Sequence, residues 1–298
     1  MDSKPFLLMS LSKTDQFIIL NGNLLDMTRS GLSPQNRAFL FGDGLFESIK
    51  VVNGKPLFVE VHLSRLKEGM EVLQMDMPET FTVESLRKEM TQLLQQCDIE
   101  EGGRLRITVY RNAGGFYLPT GTGVSYVIAA SKHPINGYEL NTEGLVVDLY
   151  PDIKKQITAY APFKTVNAMQ YILASIYARK HNLHDALLVN ENNHIIESSN
   201  SNLFIVSNGV LYTPALTDGC VGGTMRMQII NLALENDLKV YECSLTPQNL
   251  LAADEVFLTN AIQGIRWVSA YRMKRYFHKM SNFLLEKLNE RARAEVAS

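Results

Sequence analysis

The sequence is poor in cysteine, with three in 298 residues. Cys97, Cys220 and Cys243 are far apart, odd in number and outside any CxxC or Cys/His spacing. Neither a disulfide framework nor a metal site is expected, and a reducing compartment fits best. Charge of one sign is lacking too: 29 basic residues against 31 acidic ones leave a net charge of −2. That balance gives no electrostatic reason to bind nucleic acid or a membrane surface. No run approaches the ~20 apolar residues that span a bilayer. The opening MDSKPFLLMSLSKTD carries an acid early, is broken by Ser10, Ser12 and Lys13, and has no small-residue cleavage site, so no signal peptide is expected. Repeats and low-complexity tracts are absent. These absences leave a soluble cytoplasmic protein as the expectation.

What is present is ordinary globular material, 46% hydrophobic, in a length that suits two domains. QFIILNGNLLD reads as strand, Asn-Gly turn, strand, and LFESIKVVNGKPLF repeats the device at Asn53-Gly54. A helix is expected from near Val61 or His62 through SRLKEGMEVLQM. A second covers VESLRKEMTQLLQQCD, where Leu86, Met90, Leu93 and Leu94 recur at helical spacing. GRLRITVYR and GVSYVIAASK read as strands. The division that follows is an N-terminal α+β domain over 1–132, a turn-rich linker over 133–140 and a second domain over 141–298. In the second, LVVDLYP opens as a strand and a helix is expected from about Thr165 to Lys180. HDALLVNENNHIIESSNSNLFIVSNGVLYTP reads as three short strands, and a glycine-rich loop feeds the next helix. VYECSLT, a short helix, EVFLTNA and an amphipathic helix from Tyr276 to Ala294 complete the chain.

Several residues stand out. Glu197 follows two isoleucines and precedes five small polar residues; such a carboxylate either points to solvent from an edge strand or is buried with a partner. LTDGCVGGTM places three glycines before a helix, which is either a plain tight turn or an anion cradle of free N–H groups at the positive end of the helix dipole. It matches neither a P-loop nor a dinucleotide fingerprint. Lys164, at an expected helix start after Pro162 and Phe163, reads as a solvated side chain when taken alone; the alternative is an amine in apolar surroundings, ready to form a Schiff base. His62 and Arg65 lie one helical turn apart, on a solvated face or on one site where the Arg fork suits a phosphate. Arg111 ends a strand before two glycines, as a carboxylate grip or a turn residue. An amine, a phosphate cradle and a buried acid together are what pyridoxal phosphate requires.

The ordered series RAFLFGDGLFESI, HLSRL, FKTVN, DALLVNENNHIIESSNSNLF, TPALTDGCVGGTMR and ADEVFLTNAI, spread over Phe17 to Val268, resembles the class IV, fold-type IV pyridoxal-phosphate enzymes. That family includes branched-chain aminotransferases, D-amino-acid aminotransferases and aminodeoxychorismate lyases. The resemblance implies an α+β fold with a small N-terminal domain and a larger C-terminal domain holding a mixed, barrel-like sheet. It also implies roles. Lys164 forms the Schiff base and shuttles the proton, and Glu197 pairs with the pyridine nitrogen. Arg65 binds the phosphate, helped by Gly223 and the backbone amides of Thr224 and Met225. Asn260 and Ala261 lie in the segment lining the site, Ala261 on the substrate side. Arg111 holds the substrate carboxylate, and Phe39 and Phe46 wall the substrate pocket. Aminotransferases of the family usually have a Thr where Met225 stands, a change shared with the lyases; Phe116 stands where those lyases carry a further Arg.

The expected activity is amino transfer between an amino acid, branched-chain-like or of D configuration, and a 2-oxo acid. The alternative is release of pyruvate and 4-aminobenzoate from aminodeoxychorismate. A non-catalytic binding protein would have shed Lys164 or Glu197, and both are present. The resemblance further implies a homodimer acting on small molecules.

Overall fold

The structure is a computed structural model and describes residues 16–27 and 32–297; the opening segment, for which no signal peptide is expected, lies outside them. The first strands are β1 (Phe17–Leu20), β2 (Asn23–Asp26), β3 (Gly44–Val52), β4 (Lys55–Pro56), β5 (Gly103–Arg111) and β6 (Val124–Lys132). They form an antiparallel sheet of order β2-β1-β6-β5-β3-β4. Both Asn-Gly pairs turn their hairpins with positive φ at each residue, which these two residue types tolerate best. Helices α1 (Arg37–Phe41), α2 (Val59–Val72) and α3 (Val83–Gln96) accompany the sheet.

Leu86, Met90, Leu93 and Leu94 of α3 are buried, as their spacing predicts, and the Thr82 side chain caps the helix by accepting from the Ser85 N–H at 3.1 Å. Truncating Met90 to Ala would cost about 2–5 kcal/mol. Strand alternation divides β5: Leu105, Ile107 and Val109 join the core against α2 and α3, while Arg104, Arg106 and Thr108 take the opposite face. In β3, Leu45, Ile49 and Val51 point to that core, and Phe46, Ser48 and Lys50 point away. The polar face of this sheet is what it contributes to the site.

The second sheet comprises β7 (Leu145–Leu149), β8 (Asp185–Val189), β9 (Ile195–Ser198), β10 (Asn202–Ser207), β11 (Val210–Pro214), β12 (Val240–Cys243), β13 (Glu255–Asn260), β14 (Gly264–Tyr271) and β15 (Lys274–Arg275). Its pairings run β10-β13-β14-β7-β8-β9 and return to β10 through Glu197↔Asn202, so six strands close on themselves. Closure removes the exposed edge, and a single residue pair makes it. Around the ring lie α4 (Met169–Lys180), α5 (Thr224–Glu235), α6 (Pro247–Ala252) and α7 (Lys279–Ala297). Phe204 and Phe257 stack at 5.1 Å and face α5 and α7, whereas their neighbours Leu203, Ile205, Val256 and Leu258 fill a separate core.

Four boundaries differ from expectation. His184–Pro214 holds four strands, because Ser199–Ser201 reverses the chain and separates β9 from β10. β14 was not expected; Arg266 and Ser269 interrupt its apolar run. α4 begins at Met169, since the Phe46 N–H donates to Lys164 O at 2.8 Å and the Val166 N–H to Gly44 O at 3.0 Å, which keeps 164–166 extended beside β3. Lys164 therefore does not sit at a helix start. α7 begins at Lys279 because the Tyr276 and Phe277 N–H groups are bonded to Ser269 and Asp254, while the Glu255 carboxylate accepts from the Met280 N–H at 2.9 Å. Among the described residues no helix is long and apolar enough to cross a membrane.

Candidate active site

A cavity of about 850 Å³ lies where the polar face of the first sheet meets the mouth of the closed ring. Its walls include Arg65, Lys164, Glu197, Gly223, Thr224, Met225, Asn260, Ala261 and Phe46. Residues as distant in sequence as Phe46 and Ala261 thus share one space.

Lys164 is carried in on the segment stitched to β3. Its Nζ stands 4.5 Å from the centroid of the Phe46 ring. Burial, then the nearby charge of Arg65, lowers its pKa to about 8, with Glu47 and Glu197 offsetting part of the effect. A substantial share of this amine is neutral, and so nucleophilic, near physiological pH.

Glu197 is 2% exposed. Its Oε1 accepts from Lys155 Nζ at 2.7 Å and from the Tyr171 hydroxyl at 2.9 Å, and its Oε2 accepts from the Val221 N–H at 2.8 Å. The cost of burying the carboxylate is thereby offset within the chain itself. A carboxylate offers about four lone-pair positions, so Oε2 retains capacity for a further donor. Burial, reinforced by Glu197, raises the pKa of Tyr171 and keeps it a hydrogen-bond donor.

The glycine loop is held on both sides. The Gly222 N–H donates to Pro162 O at 2.8 Å, and Asn202 Nδ2 donates to Val221 O at 2.7 Å. A Cβ on Gly223 would lie 1.8 Å from Asn202 Oδ1, so any larger residue there would have to displace the Asn202 amide. Gly223 caps α5 with no side-chain bond, which leaves the first N–H groups of that helix free of intrahelical partners. The Met225 side chain is buried in the core cluster that includes Phe204 and Ile229, and the residue also borders the cavity.

Arg65 is locked by Glu47. Nε donates to Oε1 at 2.7 Å and Nη2 to Oε2 at 2.5 Å, while Nη1 donates to Gly222 O at 2.8 Å. The fork thus ties α2, β3 and the glycine loop together. Burial alone would raise the Glu47 pKa, but Arg65 and His62 outweigh it and hold it at about 2. His62 Nδ1 donates to Glu47 Oε2 at 2.7 Å and stands behind Arg65, outside the cavity wall.

Two expected residues lie elsewhere. Arg111 is 7% exposed and spends its guanidinium on Asp43 at 3.0 Å, Leu73 O at 2.6 Å and Gln74 O at 2.9 Å, bracing the turn after α2. Phe39, on α1, is 79% exposed and does not reach the cavity. Conversely, Lys155, Tyr171, Asn202, Arg104 and Arg106 line the cavity and went unrecognised in the sequence. For the two arginines a signal existed: in RLRI they alternate with core residues and so share the non-core face. Among the described residues no group of three or more His, Cys, Asp or Glu could hold a metal ion.

The profile of the Amino-transferase class IV family matches residues 44–271. The chain is 29% identical to a putative branched-chain-amino-acid aminotransferase of Methanocaldococcus jannaschii, over 83% of this chain and 85% of that one. It is 25% identical to a D-alanine aminotransferase of Bacillus licheniformis (82% and 84%) and 28% identical to an aminodeoxychorismate lyase of Vibrio harveyi (78% and 85%). Among solved structures, the branched-chain aminotransferase of Thermoproteus uzoniensis, crystallised with norvaline, superimposes with a TM-score of 0.85 at 23% identity, over 94% of this chain and 96% of that one; that likeness shows the fold. With the profile spanning most of the sequence, from β3 to β14, the chain belongs to the class IV aminotransferase family.

Proposed function

We propose that this enzyme holds pyridoxal phosphate in the cavity and transfers an amino group between an amino acid and a 2-oxo acid. One observation carries the reading: Lys164, Glu197 and the uncapped start of α5 open onto the same space. The donor set fits the cofactor. Arg65 and the N–H groups of Thr224 and Met225 suit its phosphate, and the absence of a Cβ at Gly223 keeps the loop close. Glu197, aimed by Lys155, Tyr171 and the Val221 N–H, would hold a proton on the pyridine nitrogen of the bound cofactor. When bound, the cofactor supplies an electron sink for a substrate carbanion. Lys164 would hold the cofactor through its amine and, once a substrate amine took its place, would be the base positioned to move the substrate's α-proton. Asn260, bonded to Ser201 at 2.9 Å, and Ala261 border the same space.

A lyase reading has one observation in its favour: Met225 points into the core and presents no hydroxyl where aminotransferases of the family usually have one. Donor amino acids supplied without any oxo acid separate the two. A single turnover to the pyridoxamine form supports transamination; steady pyruvate release from aminodeoxychorismate supports the lyase.

A homodimer is part of the same proposal. Phe41 and Tyr117 touch at 5.7 Å, Arg37 Nη1 donates to Phe116 O at 2.6 Å, and Phe39, Phe116, Tyr117 and Leu118 are each at least 79% exposed. Such a contiguous apolar patch suits an interface, and across it Phe39 would reach a partner's cavity rather than its own. Light scattering of the purified protein tests this.

A further inference from the structure

The cavity extends well past the reactive amine. Its polar wall is built from rows of side chains on the non-core face of the first sheet. Phe46 stands in the first row, beside Lys164 Nζ, and Ser48 in the second; Lys50 marks the third, opposite Arg104. Four residues along a strand span about 13 Å. His133, just past the end of β6 and bonded through its backbone N–H to Gly102 O at 2.9 Å, borders the cavity at that far end. Behind it lies Lys50, 1% exposed. Among the described residues the Lys50 ammonium meets no carboxylate: Nζ lies 2.7 Å from Ile135 O and 3.0 Å from His133 Nδ1. An ammonium only donates, and the Ile135 N–H also points at Nδ1, at 3.2 Å. Ile135 O is 3.2 Å from the same nitrogen but is taken by Lys50. Two donors converging on Nδ1 make it an acceptor, so the ring proton sits on Nε2, on the edge turned from Lys50. Among the described residues nothing accepts from Nε2. Burial lowers the Lys50 pKa to about 8, which leaves a cation at neutral pH. Burial, then the charges of Lys50 and Arg104, lowers that of His133 and keeps its ring neutral.

We propose that His133 reads the far end of the substrate through its Nε2–H and that Lys50 is its positioning residue. The preferred amino donor then carries an elongated side chain ending in a hydrogen-bond-accepting oxygen. This rests on the aminotransferase reading. An apolar group brought against His133 would leave its N–H desolvated and unpaired, whereas an acceptor oxygen at the right reach satisfies it. The imidazole carries no charge, so what it selects is a lone pair at a given distance from the reactive amine.

The test uses cofactor-loaded protein and two matched donor pairs of both configurations: para-acetylphenylalanine against para-isopropylphenylalanine, and the shorter methionine sulfoxide against methionine. In single-turnover half-reactions wild type is expected to favour the acetyl compound over its isopropyl isostere roughly 10-fold, the value of one hydrogen bond. The short pair should show no such preference, since its oxygen stops before His133. His133→Phe should erase the acetyl preference, and His133→Gln, whose amide N–H can stand near Nε2, should keep most of it. Lys50→Met should reduce it, and nitrogen NMR of the histidine rings should show why. Wild type should carry the His133 proton on Nε2 alone; Lys50→Met should show both tautomers, because Ile135 O is then free to accept from Nδ1. A merely structural Lys50 would leave that spectrum unmoved. Thermal unfolding checks that the variants fold; where Lys50→Met does not, the wild-type spectrum decides, and a proton on Nδ1 overturns the proposal. So does a wild type without the acetyl preference, or a preference that survives in His133→Phe. Should no amino acid convert the cofactor, the aminotransferase reading fails by itself, and calorimetric binding of para-acetylhydrocinnamate against para-isopropylhydrocinnamate takes over. Tighter binding of the acetyl acid that His133→Phe abolishes sustains the proposal; equal affinity for the two acids overturns it.

Discussion

Nζ of Lys155 lies 2.7 Å from Oε1 of Glu197, and both residues are almost wholly withdrawn from solvent. Removing one member of such a pair leaves a buried charge uncompensated. Glu197→Gln should therefore destabilise the protein by about 3–5 kcal/mol and abolish amino transfer. Glu197→Gln combined with Lys155→Met should recover much of the stability and none of the activity. Urea unfolding of the single and double variants measures the coupling.

Lys164 gives a pH signature. Its pKa is about 8 in the folded protein against an ordinary 10.5. Between those values the unfolded chain binds more protons than the folded one, so stability rises with pH across that window. Lys164→Met should abolish that rise and should stabilise the cofactor-free protein at neutral pH. Schiff-base formation with added pyridoxal phosphate, followed by absorbance, should accelerate with pH and level off above about 8. A rate flat from pH 6 to 9 would contradict a perturbed amine.

Glu47 acts at the acid end. Held at about 2 against an ordinary 4.5, it contributes stability above pH 4.5 that is lost as pH falls toward 2. Glu47→Gln should flatten acid unfolding in that range. It should also loosen the Arg65 fork and weaken pyridoxal phosphate binding by roughly 10-fold, the value of about one hydrogen bond to a charged group. Titration of the cofactor by absorbance gives the affinity.

Gly223→Ala should weaken cofactor binding by on the order of 10- to 100-fold, the equivalent of the ~1–3 kcal/mol typical of overpacking. The added methyl would meet Asn202 Oδ1. Asn202→Ala in the same chain should restore part of the loss, since it removes the clashing atom. No recovery in the double variant would place the fault elsewhere in the loop.

Much of the site was legible in the sequence because its chemistry is local. A lysine after Pro-Phe, an acid after two isoleucines and three glycines before a helix are each recognisable from neighbours a few positions away. Arg111 misled because a strand-ending arginine before glycines looks the same whether it grips a ligand or, as here, Asp43 and two carbonyls. Lys155 was illegible because its partner Glu197 stands 42 positions away.

By itself the amino-acid sequence determined the hairpins at Asn21-Gly22 and Asn53-Gly54, the buried face of α3, the alternation along β5 and the family, since each depends on short-range geometry or on motif order. Only the tertiary structure decided that six strands close through Glu197 and Asn202, that Glu47 locks Arg65, and that Arg104 and Arg106 line the same cavity as Lys164. Those relationships are set by strand register and by packing between segments far apart in the chain, and neither periodicity nor composition carries that information.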